Sequence, residues 1–145
     1  MSGPDALPAP GIARRLASML YEAVLLFAVA YFATWLFQLG AGTLQIEGWR
    51  RALLQAFLVA VFAAYFLWCW LRGGQTLAMK AWDIRLVGAD GAPPAPRAAL
   101  LRFAYALVLV PTLVGIAWAL GGRDRQFLHD RLAGTRLVLD PPRPR

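Results

Sequence analysis

Residues 16–39 read LASMLYEAVLLFAVAYFATWLFQL and carry one charge, Glu22, in 24 positions. As a helix rising about 1.5 Å per residue, this stretch reaches about 36 Å, more than the roughly 30 Å of hydrocarbon in a bilayer. A second stretch, residues 52–71, ALLQAFLVAVFAAYFLWCWL, carries no charge in 20 positions and reaches about 30 Å. Both are expected to be transmembrane helices. The composition agrees, because 59% hydrophobic residues, 16% charged residues and a mean hydropathy of +0.52 lie well off the average for chains dissolved in water. The N-terminal MSGPDALPAPGIARR lacks the order of a secretory signal. Its prolines precede its arginines, and no small-residue cleavage site follows the long apolar run. The first helix is therefore expected to stay as an anchor.

A third apolar stretch, residues 98–120, AALLRFAYALVLVPTLVGIAWAL, has Arg102 near its start and Pro111 at its middle. Basic residues tend to remain cytoplasmic, so their distribution tests whether this segment crosses. Two precede the first helix, two (Arg50 and Arg51) lie between the helices, five fall in 72–102 and six follow residue 120. A full crossing leaves seven against eight, which is no bias. A segment that dips in and returns at Pro111 leaves thirteen against two. The expected fold is therefore mainly α and polytopic. It has two full spans, a Pro-broken third segment that is re-entrant in preference to a kinked third span, and both termini in the cytoplasm.

Between the second and third stretches, IRLV has β-like character and ends at the turn signal GADG, while APPAP forbids helix until about Arg97. TRLVLD at 135–140 has the same β-like character, so the two runs are expected to pair as a small cytoplasmic β element. Gly73 and Gly74 read as the end of the second helix, with Thr76 as the N-cap of a short third one. Residues 1–13 and 140–145 read as disordered tails around a membrane domain at 14–139. Trp35, Trp49, Trp68 and Trp70 fit the aromatic belts at the span ends.

The net charge of +7 comes from arginines parcelled between long uncharged runs, so no basic face exists for nucleic acid. Arg72, Lys80, Arg85 and Arg97 instead suit anionic lipid headgroups. A lone cysteine, Cys69, forbids an internal disulfide. His129 has neither a nucleophile nor a metal-ligand spacing beside it, so no enzyme, metal or cofactor is expected.

Three motifs now stand in order. An arginine opens the first helix with an acid seven residues further in, GGQTLAMKAWDIRLV (73–87) follows the second helix, and RQFLHDRLAGT (125–135) follows the third stretch. From about Arg14 to Leu139 the chain resembles the RDD family of bacterial membrane proteins, named for one arginine and two aspartates. The resemblance puts the family arginine on Arg15, the first aspartate on Glu22 and the second on Asp130. Asp83 stands where a small glycine is usual. Gln75, Thr76, Arg102, His129, Arg131, Gly134 and Thr135 are candidate supporting residues. The resemblance implies an inner-membrane protein for which transport has been suggested.

Elementary energetics sharpen the roles. Glu22 lies two turns beyond Arg15, about 10 Å deeper, where an uncompensated carboxylate costs several kcal/mol or more. It is expected either to handle protons or cations, or to lock the fold through Arg15, Arg102 or Arg131. HDRLAGT reads as a short helix ending at Gly134, with Arg123, Gln126 and Asp130 near one face. It is expected to form a cytoplasmic latch in which Asp130 pairs with an arginine, Arg15 in first place. Two spans are too few to enclose a path, so a small transporter or ion exchanger implies a homo-oligomer. The alternative is an anchoring, assembly or regulatory subunit whose charges are structural.

Overall fold

The computed structural model describes residues 7–41, 47–121 and 127–140. The expected grouping of Arg123 and Gln126 with Asp130 lies outside the described residues, as do 1–6 and 141–145 of the two tails. Helix α1 runs Ile12–Ala41 and α2 runs Trp49–Gly73, each extending the apolar stretch that seeds it. At 30 and 25 residues they reach about 45 and 37 Å. Their outward faces carry Leu20, Phe27, Phe32, Leu53 and Val59 in the open. Side chains of that kind cover no protein core and suit a hydrocarbon solvent.

The end of α2 is fixed by backbone geometry. Gly74 takes φ +68, its N–H bonds Trp70 O at 3.0 Å, and its own carbonyl accepts the Leu86 N–H at 2.7 Å. A Cβ at this position would stand 2.7 Å from Leu86 O, so glycine allows the helix end to meet the following strand. Thr76 then caps α3 (Leu77–Ala81) by accepting from Met79 N at 3.2 Å. Asp83 turns the chain at φ +51, and its carbonyl accepts the Asp140 N–H at 2.8 Å. Aspartate is among the few residues besides glycine that tolerate this left-handed conformation.

Strands β1 (Ile84–Gly88) and β2 (Thr135–Leu139) pair antiparallel, with Ile84 opposite Leu139, Leu86 opposite Leu137 and Gly88 opposite Thr135. Ile84, Leu86 and Leu137 join Trp70, Met79, Ala99 and Phe103 in one core, onto which Phe62 and Phe66 of α2 pack. Fully burying side chains of this size contributes about 1.5–3 kcal/mol each. The core thus lies at one end of the long helices, under the strand pair.

Helix α4 (Pro96–Leu109) opens on a proline at a position that needs no N–H donor. It ends because Pro111 cannot donate to the carbonyl four residues back. The Thr112 hydroxyl donates instead to the carbonyls of Val108 and Leu109, both at 3.1 Å, and Leu113 turns the chain at φ +59 before α5 (Val114–Gly121). The fourteen and eight residues of α4 and α5 rise about 21 and 12 Å, each short of a bilayer core. Helix α6 (Leu128–Leu132) packs against both and passes through Ala133, its C-cap, and Gly134 at φ +69 into β2.

The disordered stretch expected through residue 13 differs from what is observed over 7–13. Pro10 is buried, the Pro8 carbonyl accepts the Leu139 N–H at 2.8 Å, and α1 has begun by Ile12. Proline has no N–H of its own, but its carbonyl extends the edge of β2. Asp140, assigned to the C-terminal tail, is likewise held: its carboxylate meets Arg85 Nη2 at 2.9 Å and Gln75 Nε2 at 3.2 Å.

Candidate functional site

Charged side chains gather beneath the strand pair, where the beginning of α1, the end of α2, the early turns of α4 and the whole of α6 meet. Arg15 is 1% exposed. Its Nε donates to Pro10 O at 3.0 Å, and its guanidinium lies 5.9 Å from the centre of the Phe127 ring. Phe127 stacks on the His129 imidazole with centroids 5.5 Å apart. His129 Nε2 stands 3.6 Å from Asp130 Oδ1, too long for a hydrogen bond. Burial holds this imidazole neutral and lowers its pKa to about 4, against the raising influence of Asp130.

Asp130 is wholly buried, and its Oδ1 accepts from Arg102 Nε at 2.6 Å. Arg102 in turn lies over the Trp70 ring, 4.4 Å from its centroid. The Thr135 hydroxyl donates to the Asp130 backbone carbonyl at 3.3 Å, tying the start of β2 to the same point. The direct partner of Asp130 is therefore Arg102 and not Arg15, which senses the Asp130 charge without forming an ion pair with it. The reason is position: Arg102 stands on the second turn of α4, against which α6 packs, whereas the Arg15 Nε is committed to Pro10. Such a pair is strong because it combines charge with a hydrogen bond away from water.

Glu22 is handled differently. Its Oε2 accepts a hydrogen bond from the Thr76 hydroxyl, which at the same time accepts the Met79 N–H at the start of α3. The Tyr65 hydroxyl of α2 also faces it. Its second oxygen, Oε1, is buried without a hydrogen-bond partner, and among the described residues Glu22 has no ion pair within 4 Å. Neutral hydroxyls thus hold the acid of the first helix, while an arginine holds the acid of the sixth.

These groups open onto a cavity of about 330 Å³, at the small end of the range for small-molecule sites. Arg15, Glu22, Thr76, Trp70, Arg102 and His129 are in its wall, and most of the remaining lining is apolar, including Phe62, Phe103 and Leu107. Gln75 lies outside it, donating to Ile84 O at 2.9 Å and to Asp140 beside the partly exposed Arg85. An ion pair that open to water contributes at most about 1 kcal/mol. Arg131 points to the exposed side of α6, and Gly134 serves the turn into β2.

Trp70 departs from its expected place in an aromatic belt. Trp35, Trp49 and Trp68 are exposed as such a belt requires, whereas Trp70 is 2% exposed beneath Arg102. Helical spacing carries the missed signal: Phe66 and Trp70 stand four apart, their rings tilted against each other with centroids 5.0 Å apart. Ser18, Tyr65 and Phe127 were likewise not singled out, because each lies in a run of residues that reads as lipid-facing or as loop.

A helical membrane protein with its charges folded into one internal site is the class that this arrangement defines. The model of the RDD family matches residues 9–134, which include Arg15, Glu22 and Asp130, and the chain belongs to that family. Neither the curated proteins nor the solved structures gave a match.

Proposed function

We propose that this chain is a multi-pass protein of the inner membrane that works as a small ion exchanger or transporter, with Glu22 as the group that gains and loses the proton. The observation that carries this reading is the contrast between the two acids. Each acid keeps one buried oxygen without a hydrogen bond, but Asp130 is neutralised by a buried arginine, whereas Glu22 has only hydroxyl partners, in the wall of a cavity. A carboxylate so placed can change its protonation without leaving a stranded guanidinium. The apolar outer faces of α1 and α2 suit self-association, which two spans need in order to enclose a path. No catalytic step is assigned to the site.

The proposed topology is a pair of spans and a re-entrant third segment, with both termini cytoplasmic. Strand β1 precedes the third segment, β2 follows it, and hydrogen-bonded strands cannot stand on opposite faces of a bilayer. The bond from Leu139 to Pro8 brings the start of α1 to that face, and the bond from Leu86 to Gly74 brings the end of α2. Thirteen of the fifteen basic residues then share it, the cytoplasmic choice. Arg72, stacked over Trp68 at 3.9 Å, Lys80 and Arg97 would meet anionic headgroups there.

The competing reading, an anchoring or assembly subunit, draws on the buried Arg102–Asp130 pair. Proton flux in reconstituted vesicles separates the two. Under the exchanger reading, Glu22→Gln abolishes cation- or substrate-driven proton movement while the protein still folds. Flux equal to wild type in Glu22→Gln would reject it.

A further inference from the structure

We infer that the cavity binds a hydrophobic monocarboxylate, its carboxylate on the free nitrogens of Arg102 and the indole N–H of Trp70, and that binding draws a proton onto Glu22. The inference rests on the exchanger reading and names the substrate class of the same site. Arg102 uses only Nε in its bond to Asp130, so among the described residues its two terminal nitrogens make no hydrogen bond to protein, although the side chain lines the cavity. Trp70, stacked beneath that guanidinium, has a buried Nε1–H with no acceptor. A buried donor without an acceptor costs stability unless something supplies one. Arg102 and Trp70 both line the cavity. The planar, two-oxygen group that matches a guanidinium edge is a carboxylate. Phe62, Phe66, Phe103 and Leu107 in the same cavity offer cover for an apolar body.

The proton follows from charge. Arg102 and Glu22 both line the cavity, so a carboxylate bound to Arg102 arrives in the same cavity as a second anion. Two carboxylates sharing a dry site do not both stay ionised. Among the described residues, the groups around Glu22 are Thr76 before α3, Tyr65 and Cys69 on α2 and Arg102 on α4, with Arg15 and His129 also in the cavity wall. The Asp130 carboxylate is already paired with Arg102, and burial disfavours a charged His129, which leaves Glu22 as the acceptor. In the balanced step one proton passes from solvent to a Glu22 oxygen, giving the carboxylic acid, and no bond of the ligand changes.

The test is calorimetric titration of the full chain in lipid nanodiscs with octanoate, octanol and octyltrimethylammonium, in two buffers of different ionisation enthalpy. Empty nanodiscs provide the blank for partitioning into lipid. Octanoate should bind in preference to the other two, with uptake of about one proton per molecule bound. Trp70→Phe keeps the ring under Arg102 and should weaken octanoate about tenfold. Glu22→Gln should keep octanoate binding and lose the proton uptake. Preference for octyltrimethylammonium or octanol, or octanoate affinity unchanged in Trp70→Phe, would overturn the inference. If Glu22-dependent proton flux with another ion persists in that case, the exchanger reading survives it. Proton uptake undiminished in Glu22→Gln would overturn both.

Discussion

Replacing Asp130 with asparagine keeps its shape and removes its charge, leaving Arg102 buried without a counter-ion. Asp130 is fully buried and Arg102 is 8% exposed, with 2.6 Å between Nε and Oδ1. Breaking a buried pair from one side costs about 3–5 kcal/mol, because the remaining charge stays desolvated. For a chain of this length each kcal/mol moves the midpoint by about 2–4 °C, so Asp130→Asn should melt on the order of 10 °C below wild type. Arg102→Met should lose a similar amount. The double variant Arg102→Met with Asp130→Leu removes both charges and should recover most of the loss, since an apolar pair of similar volume is often as stable as the ion pair. The assay is the thermal midpoint of purified protein in one detergent at one scan rate, with the single Asp130→Leu variant added so that it, Arg102→Met and their combination close a double-mutant cycle. Coupling of about 2–3 kcal/mol is expected between these two residues. A parallel cycle of Arg15→Met with Asp130→Asn should give less than half of that, because Arg15 does not touch the carboxylate. Strictly additive losses at Arg102 and Asp130, or a larger coupling for Arg15, would refute the assignment.

His129 has its pKa lowered from 6.5 to about 4, so its contribution is complete above 6.5 and is lost as pH falls from there toward 4. Melts between pH 7 and 4 should show up to about 1.4 kcal/mol of lost stability per pH unit, a slope reduced in His129→Gln. Asp83→Gly relieves a left-handed residue at φ +51 and should raise stability by about 0.5–1 kcal/mol, seen as a higher midpoint. A reporter fused after Arg145 should be active only in the cytoplasm, and a cysteine placed at Gln45 should be labelled from outside. An external C-terminus would contradict the proposed topology.

How much was legible in the sequence depended on how local each cause was. The two long helices could be read because burial in lipid requires an unbroken apolar run, and α1 and α2 contain the runs whole. The caps at Gly74 and Thr76 could be read because turn chemistry is a property of a few neighbouring residues. The β-like character of IRLV and TRLVL likewise follows from side-chain branching, and the strands form at those residues. Partner choice could not be read. Whether Asp130 meets Arg15 or Arg102 depends on which face of α4 packs on α6, set by Ala99, Phe103 and the sheet above them. Trp70 is illegible for the same reason: its place one residue from the end of the apolar run suggests a belt, and only the packing of α4 shows it as the floor under Arg102. The hydroxyl partners of Glu22 are 54 and 43 residues away in sequence, a separation no local pattern encodes.

The central claim is that the two acids of this site do different work, Asp130 holding the fold and Glu22 serving exchange. Thermal midpoints of Glu22→Gln and Asp130→Asn, measured side by side in the same detergent, test it most directly. Glutamine still accepts from Thr76 and abandons no arginine, so Glu22→Gln should melt within about 2 °C of wild type, a change under 1 kcal/mol, while Asp130→Asn falls on the order of 10 °C. Equal losses in the two variants, or a larger loss at Glu22, would contradict the division of roles.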